Sequence, residues 1–448
     1  MVNVHIGLDD VDSINGGCTT HFAVQLAWEL KKKNIRFIDY LNLIRLNPAV
    51  PWKTRGNGAV SIRLQASPEE TVGDIWELII SKLEEYAGEF KDSKNQPSVV
   101  LHVGEVPWDY EWFANKALHD LVPIDLASRI LSKHSETRYY SVRGRRGIIG
   151  ALAAIGYTML NTDYTYELVA YRVREYWGKP RLVDSTSIKT MDELYGKEML
   201  LNYDYESNRP LITPHGPDPV LLGLRGEDPR VLFEAYSVLR INEPVEYIAV
   251  FRTNQHTDAH LLEVKSICDV RPYMCVKVRG FVKVKPRRII GGHVVFELCD
   301  NECCIDVAAY EPTKSFREIV EKLEIGDYVE VMGCVRPPSS SHGKTINLEK
   351  IRVLKLTEIY DYVNPKCPLC GSTMESMGKG KGFRCRKCGY RDPYAKKIAV
   401  LRERSIKPGL YQPPKSAFKH LMKPLERIGR EKTVFPGVSL EDFVTKLI

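Results

Sequence analysis

Apolar residues along this chain keep different rhythms in different stretches. Over the first 135 positions, β-like runs alternate with helical periods. "NVHIGLD" is apolar and β-rich, and residues 19–33 repeat at helical spacing through Phe22, Leu26, Ala27 and Leu30. "IRFIDYLNLIRLN" and "NGAVSIRLQA" predict two further strands. "SPEETVGDIWELIISKLEEYAG" predicts a helix with Ser67 at the N-cap, Pro68 at the first helical position and Glu70 completing a capping box. "SVVLHVG" closes the unit as a strand. The order is β-α-β-β-α-β, the split arrangement of ferredoxin-like folds.

A similar order recurs over 136–265. "TRYYSV" and "YTYELVAYRV" predict strands around the helix "GIIGALAAIGY", followed by the strand "PVLLGLRG", the helix "DPRVLFEAYSVLRI" and the strand "EYIAVFRT". Residues 178–212 carry no clear pattern. From about 270 to 360 the period becomes 2. "YMCVKVRGFV", "GHVVFELCD", "CCIDVAAYE", "DYVEVMGCVR" and "TINLEKIRVLKL" predict five strands, with the helix "SFREIVEKL" between the third and fourth. That helix position favours an OB-fold barrel over a small SH3-like one. The remainder, 361–448, combines cysteine pairs with a tail rich in Pro, Lys and Arg. Its low apolar content predicts ordering by metal and RNA contacts rather than by a core.

The chain has 448 residues, enough for about three domains at roughly 150 residues each. No run of about 18 apolar residues occurs, so no membrane span is expected. The acidic start "MVNVHIGLDD" is wrong for a secretory signal, which makes cytoplasm the expected location. Net charge is +7, but its distribution matters more. Between Lys379 and Arg430 stand sixteen Lys plus Arg against three Asp plus Glu, which points to nucleic acid.

"CPLCGSTMESMGKGKGFRCRKCGY" has the spacing C-x2-C-x14-C-x2-C. Two such turns present four thiolates to one tetrahedral Zn²⁺, here Cys367, Cys370, Cys385 and Cys388. All four positions are filled, so the ion is structural. Two pairs without a thioredoxin-like context disfavour a redox role. With no secretory signal, free thiols rather than disulfides are expected for the other cysteines. An OB barrel beside a basic zinc ribbon suggests a reader of single-stranded or irregular nucleic acid, with Tyr273, Phe281 and Phe296 as candidate stacking aromatics or core residues.

The stretch "GLDDVDSINGGCTTHF" gathers Asp9, Asp10 and Asp12 ahead of a Gly-Gly turn and the step Cys18-Thr19-Thr20. Clustered carboxylates need a positive partner, either basic side chains or Mg²⁺, which would bring in a nucleotide triphosphate. Two segments offer phosphate ligands. One is "RLNPAVPWKTRGNGAV", with Arg45, Lys53, Arg55 and Gly56; the other is "RGRRGIIGALAAIG", with Arg145, Arg146 and Gly147 at a helix start. No GxxxxGK[ST] loop is present, which excludes an ordinary Walker-type site. Taken singly, an Asp triplet is more often solvated or a cap, "GRRG" more often a turn, and Thr19 more often a helix N-cap.

Together, "GLDDVDSINGGCTTHFA", "RLNPAVPWKTRGNGAV", "GRRGIIGALAAIG", "LLGLRGED" and "FRTNQHTDAHL", followed by an OB-like region and a zinc ribbon, resemble the archaeal 2-agmatinylcytidine synthetases that act on an isoleucine tRNA, the TiaS family. The resemblance covers nearly the whole chain in the same order. It implies a multidomain α+β chain: an atypical kinase-like unit at 1–135, a ferredoxin-like unit at 136–265, an OB-fold β-barrel at 270–360, and a zinc ribbon with basic tail at 361–448. It implies attachment of agmatine to C2 of the wobble cytidine of an isoleucine tRNA with anticodon CAU, so that AUA is decoded. ATP would be cleaved to AMP and pyrophosphate, with the C2 carbonyl oxygen phosphorylated, and Mg²⁺ and Zn²⁺ would be bound. The family's phosphorylatable threonine matches Thr19, and its acidic loop matches Asp9, Asp10 and Asp12. Val11 stands where Thr is expected, removing a hydroxyl there. Agmatine carries a guanidinium, which calls for a carboxylate; Asp218, Glu227 and Asp258 are candidates. Two other readings stay open beside this one: a non-catalytic single-strand-binding protein, and a lysidine-type adenylating ligase, whose SGGxDS loop is absent here.

Overall fold

A computed structural model describes residues 1–53, 56–67, 70–90, 94–340 and 342–448. The first unit runs β1 (Val2–Asp9), α1 (Thr19–Lys32), β2 (Arg36–Phe37), β3 (Leu41–Arg45), β4 (Gly58–Ala66), α2 (Glu70–Glu89), β5 (Ser98–Val103), α3 (Trp108–His119) and α4 (Ile124–Leu131). The predicted strand over 35–47 is broken into β2 and β3. Within the sheet the order is β3-β4-β1-β5, every neighbour antiparallel, as the β-α-β-β-α-β reading requires. The cap foreseen for α2 rests on Pro68 and on the Glu70 side chain, which lie outside the described residues.

Next come β6 (Thr137–Ser141), α5 (Gly147–Gly156), β7 (Thr165–Arg172), α6 (Ser185–Tyr195), β8 (Tyr203–Asp204), β9 (Arg209–Pro210), β10 (Val220–Gly226), α7 (Pro229–Val238) and β11 (Val245–Thr253). Helix α6 and the β8–β9 pair occupy the stretch that carried no clear pattern. Capping is conventional here: Asp184 and Asp228 accept from backbone N–H groups of α6 and α7, and Pro229 opens α7.

The two units share one sheet, β10-β7-β11-β3-β4-β1-β5-β6, joined where β11 runs parallel to β3. One continuous hydrophobic core covers both. Strand β6 pairs with β5, and α5 packs on β1, so both elements lie on the first unit's side of the sheet. Helix α5 has no polar face; apart from Ile149, its residues are buried. Its close contact with β1 depends on glycine on each side. A Cβ on Gly7 would fall 1.9 Å from the Ala151 carbonyl oxygen, and one on Gly150 would fall 2.0 Å from an Asp9 carboxylate oxygen.

The barrel follows: β12 (Leu262–Glu263), β13 (Cys275–Arg288), β14 (Val294–Cys299), β15 (Cys304–Ala309), α8 (Phe316–Glu321), β16 (Tyr328–Arg336) and β17 (Thr345–Lys355). Strands β13-β14-β15-β17-β16 close through the β13–β16 pairing, with β15 and β17 parallel and α8 between the third and fourth strands. This is the OB order. Phe296 is a core residue, at 2% exposure, whereas Phe281 is 48% exposed and lies against Tyr328, ring centroids 4.8 Å apart. Tyr273 sits where the barrel meets the first unit, its carbonyl accepting from Asn47 Nδ2.

The expectation of free thiols fails in the barrel. Cys268–Cys303, Cys275–Cys334 and Cys299–Cys304 are disulfides. Strand register is the reason: Cys275 faces Cys334 across the closing seam, and Cys299 faces Cys304 across a hairpin.

Strands β18 (Tyr360–Val363), β19 (Glu375–Ser376), β20 (Phe383–Arg384), β21 (Arg391–Asp392) and β22 (Ile398–Leu401) form the ribbon and its two-stranded stalk. Beyond it the tail corrects a second expectation. It is a strap docked on the body. Strand β23 (Gly409–Tyr411) pairs with β17, and β24 (Val444–Lys446) pairs with β11. Leu421, Phe443 and Val444 enter the N-terminal core. Much of the strap's charge points inward. Arg427 is fully buried, bonded to both Asp163 oxygens at 2.5 and 2.7 Å and to Glu227 at 2.7 Å. Lys423 pairs with Asp163 at 3.1 Å and Lys432 with Glu227 at 2.7 Å. Counting basic residues therefore overstated the charge this tail offers to nucleic acid.

Removing one partner of a buried pair leaves the other charge uncompensated. Arg427→Met is expected to destabilise the protein toward the low end of about 3–5 kcal/mol, because Lys423 and Lys432 remain near the two carboxylates. Denaturant unfolding of wild type and variant checks this.

Candidate functional site

Strand β1 delivers the acidic loop to the C-terminal edge of the first unit. Asp9, Asp10 and Asp12 line a cleft of about 750 Å³ together with Lys53, Gly56, Arg146, Gly150, Asp120 and Trp52. The three carboxylates turn in different directions. Asp9 is driven against α5 at Gly150, and burial, followed by Asp10, pushes its carboxyl well above the usual range. Asp10 takes a left-handed backbone (φ 58°), accepts from Arg146 at 2.7 and 3.1 Å, and accepts from the Gln96 N–H at 3.0 Å. Burial still outweighs Arg146 and raises its carboxyl to about 6. Asp12 accepts from the Thr19 N–H at 3.1 Å.

Thr19 is not the cap of α1. Cys18 is, its sulfur accepting from the His21 N–H. Thr19 is the first helical residue, 2% exposed, and its hydroxyl oxygen accepts from the Val11 N–H at 3.3 Å. It lines a second cleft of about 1000 Å³ with Cys18, Thr20, Arg45, Glu167, Asp218, Arg225 and His420. Asp12, Gly56 and Gly58 belong to both clefts, so the acidic loop stands between them.

The predicted phosphate ligands divide. Lys53, Gly56 and Arg146 line the first cleft, whereas Arg145 is exposed outside it and Gly147 is buried under it. Arg55 lies outside the described residues. The turn before α5 is not an open cradle: the Arg145 and Arg146 N–H groups both donate to Gln96 Oε1, at 2.9 and 2.7 Å. The predicted agmatine carboxylates divide as well. Asp218 lines the second cleft, paired with Arg181 at 3.3 Å. Glu227 is consumed by Arg427 and Lys432, and Asp258 by Lys350 and the Lys423 N–H. Neither lines a cleft with Thr19.

Sequence reading did not propose Gln96, Trp52, Glu167, Arg225 or His420 for the site. Glu167 and Arg225 face each other across β7 and β10 at 3.3 Å, a cross-strand pair with no local signature. Arg45 was named only as a supply of positive charge. Its Nε is buried beside the second cleft without a hydrogen-bond partner among the described residues, a donor suited to an incoming anion.

In the ribbon, Cys367, Cys370, Cys385 and Cys388 bring their sulfurs within 4.8 Å of one another. Their surroundings form a core of only a few residues, including Met374 and Phe383. This donor set fits Zn²⁺. The Asp triplet forms no such ready-made group among the described residues. That still suits Mg²⁺, which keeps several waters and binds through one or two carboxylates plus substrate phosphates.

Three family models cover most of the chain: the TiaS TCKD domain matches residues 5–143, the TiaS FLD domain 145–260, and the TiaS C-terminal zinc ribbon domain 364–406. The TiaS of Staphylothermus marinus, a 2-agmatinylcytidine synthetase of an isoleucine tRNA, is 51% identical over 438 residues, 97% of this chain and 95% of that one. The chain belongs to the TiaS family. Two solved TiaS complexes share its fold. The complex with the isoleucine tRNA and ATP has a TM-score of 0.85 at 37% identity, covering 95% of this chain and 98% of that one. The complex with the isoleucine tRNA, AMPCPP and agmatine has a TM-score of 0.82 at 35% identity, with the same coverage. No helix among the described residues is long and apolar enough to cross a membrane.

Two outcomes are expected. A chelator should release about one zinc ion per chain and unfold the ribbon while the shared sheet stays protected, as hydrogen exchange would show. In divalent-free buffer, Asp10 prefers its proton up to about 6 when folded and only to about 3.8 otherwise. Stability should therefore fall as pH rises through that window, and Asp10→Asn should lack this part of the slope in thermal unfolding.

Proposed function

We infer that this protein is an ATP-dependent synthetase joining agmatine to C2 of the wobble cytidine of isoleucine tRNA with anticodon CAU, forming agmatidine. The observation that carries this reading is the acidic loop standing between two clefts, in a chain that matches TiaS relatives along nearly its whole length. A passive nucleic-acid binder needs neither the buried carboxylates nor Thr19 at that junction. The TCKD and FLD matches support a kinase-like role for the N-terminal unit and a ferredoxin-like reading of the next. The OB barrel and ribbon serve the tRNA.

Cytosine C2 is a poor electrophile because the ring nitrogens feed electrons into its carbonyl. Phosphorylating the oxygen makes a leaving group that an amine displaces. The first cleft suits ATP. Lys53 and Arg146 supply positive charge to the polyphosphate, and Trp52, 60% exposed on the lining, offers a face for the base. Asp9, Asp10 and Asp12 would hold Mg²⁺, which supplies charge neutralisation of the phosphates when bound. Thr19 is the candidate phosphate carrier, and Arg45 and Arg225 flank it with positive charge. The second cleft suits agmatine, with Asp218 the one proposed carboxylate that lines it. The cytidine must leave the anticodon stack to reach this junction, at a cost of roughly a few kcal/mol that tRNA contacts elsewhere offset.

The direct test incubates protein, Mg²⁺, ATP and the CAU isoleucine tRNA with and without agmatine, then weighs the digested nucleosides. A heavier wobble cytidine only when ATP and agmatine are both present establishes the activity. Unmodified tRNA with no ATP consumed but tight RNA binding would favour the non-catalytic reading. Thr19→Ala and Asp10→Ala are each expected to lower turnover by at least about 10²–10³-fold while leaving tRNA affinity nearly intact. Full turnover in either would remove that residue from the site.

A further inference from the structure

The strap carries a side chain into the second cleft that neither unit supplies. His420 lines it beside Arg45, Gly56, Asp218 and Arg225, and a Cβ on Gly56 would fall 2.9 Å from its imidazole Cδ2 and Nε2. The segment is pinned at its backbone: the His420 carbonyl accepts from His256 N–H and the Leu421 carbonyl from Asp258 N–H, both at 2.8 Å. The ring is oriented too. Its Nδ1 lies 3.0 Å from Gln255 Oε1. Gln255 is fully buried and donates its Nε2 to Glu167 Oε2 at 2.5 Å. Reversing that amide would set a carbonyl oxygen against a carboxylate, so Oε1 faces the histidine. An amide oxygen only accepts, so Nδ1 must carry the proton. Nε2 is left with its lone pair, and His420 is exposed. The chain Glu167–Gln255–His420 thus fixes tautomer and orientation, as a buried carboxylate does for a catalytic histidine.

Agmatine enters as a dication, and its ammonium nitrogen has no lone pair until a proton leaves. We propose that His420 Nε2 takes that proton in the second cleft, making this strap residue the catalytic base of the amination. The proposal rests on the reading that agmatine occupies this cleft. The balance is complete. One ammonium proton goes to Nε2 and then to solvent. The amine nitrogen forms a bond to C2, and the bond from C2 to the phosphorylated oxygen breaks. A second proton departs with the phosphate as hydrogen phosphate. The third stays on the new N–H of a cationic agmatidine. The charge of Arg45 foremost, with that of Arg225, holds the imidazole below its ordinary range, which keeps it neutral in the free protein. A phosphate between Arg45 and Arg225 offsets their charge and raises the basicity of the ring, so the base strengthens once the activated cytidine is in place.

The test uses the full chain with the tRNA transcript and compares agmatine with its aminooxy analogue, an O-alkylhydroxylamine carrying the same guanidinium tail. That amine is already uncharged at neutral pH. His420→Gln keeps an acceptor but takes no proton. With agmatine it is expected to lower product formation by about 10²–10⁴-fold, with ATP cleavage and tRNA affinity unchanged. With the aminooxy analogue most of that deficit should vanish. Wild-type turnover of agmatine by His420→Gln overturns the proposal. So does an equal deficit with both amines, which marks a purely positional role. Calorimetric titration of agmatine into Asp218→Asn separates the two levels. Unaltered affinity withdraws the cleft assignment and the proposal with it. Weakened affinity with normal turnover by His420→Gln keeps the cleft and removes only the base.

Discussion

The site depends on one contact in which side chains are missing. Helix α5 lies so close on β1 that Gly7 touches a helix carbonyl and Gly150 touches the Asp9 carboxylate. No other residue type leaves room for either approach. The consequence is electrostatic. Asp9 is pressed against the helix at one edge of the cleft, and burial raises its carboxyl well above the usual range. The chain then reverses at Asp10 with positive φ, aiming that carboxylate at Arg146 at the start of the same helix. Asp12 reaches the first turn of α1 and fixes Thr19. An apolar helix pressed on a strand through glycine therefore sets the placement of Asp9 and Asp10, and α1 that of Asp12.

The parallel pairing of β11 with β3 extends this arrangement into the second unit. Without it, Glu167 on β7 and Arg225 on β10 would belong to a separate body. With it, they face Thr19 and Arg45 across one cleft. The strap closes the assembly from the other direction. It leaves the ribbon stalk, crosses the barrel, buries Arg427 between Asp163 and Glu227, and ends as a strand on β11. The ribbon is thereby looped out between two attached segments. Its few-residue core and its four thiolates can order independently of the body, while the strap cannot be removed without exposing the core and unpairing buried carboxylates.

What was legible in the sequence was local. Period 2 with a helix before the fourth strand gave the barrel order, the C-x2-C turns marked the four thiols that the ribbon brings together, and the split strand order of the first unit was visible in its alternation. The acidic loop announced itself because adjacent carboxylates are costly without a partner. What was illegible was long-range. Asp163 and Arg427 are 264 positions apart, and nothing near either one marks the pairing. The same blindness made Glu227 and Asp258 look available and the tail look like a free basic surface. The disulfides were hidden by register, since Cys275 meets Cys334 only when the barrel closes. Of the two readings open for Thr19, the helix cap fails for a smaller reason: the Cys18 sulfur, one residue earlier, accepts the N–H of His21.

The two-cleft arrangement answers a problem set by the substrates proposed here. ATP is a polyanion and agmatine a dication, and in one open cavity they would pair with each other rather than with the protein. Lys53 and Arg146 mark one side as a place for phosphates; Asp218 and Glu167 give the other side carboxylates. Asp12, Gly56 and Gly58 are shared, so the partition is thin. Gly56 and Gly58 add no side-chain bulk at that boundary. A phosphoryl group crossing it would enter the cleft that Thr19 and Arg45 line. On the proposed reading, ATP would be held on one side of the loop by Lys53 and Arg146, while Thr19, Arg45 and the carboxylate Asp218 meet in the one cleft on its other side, where the activated cytidine and the amine would come together.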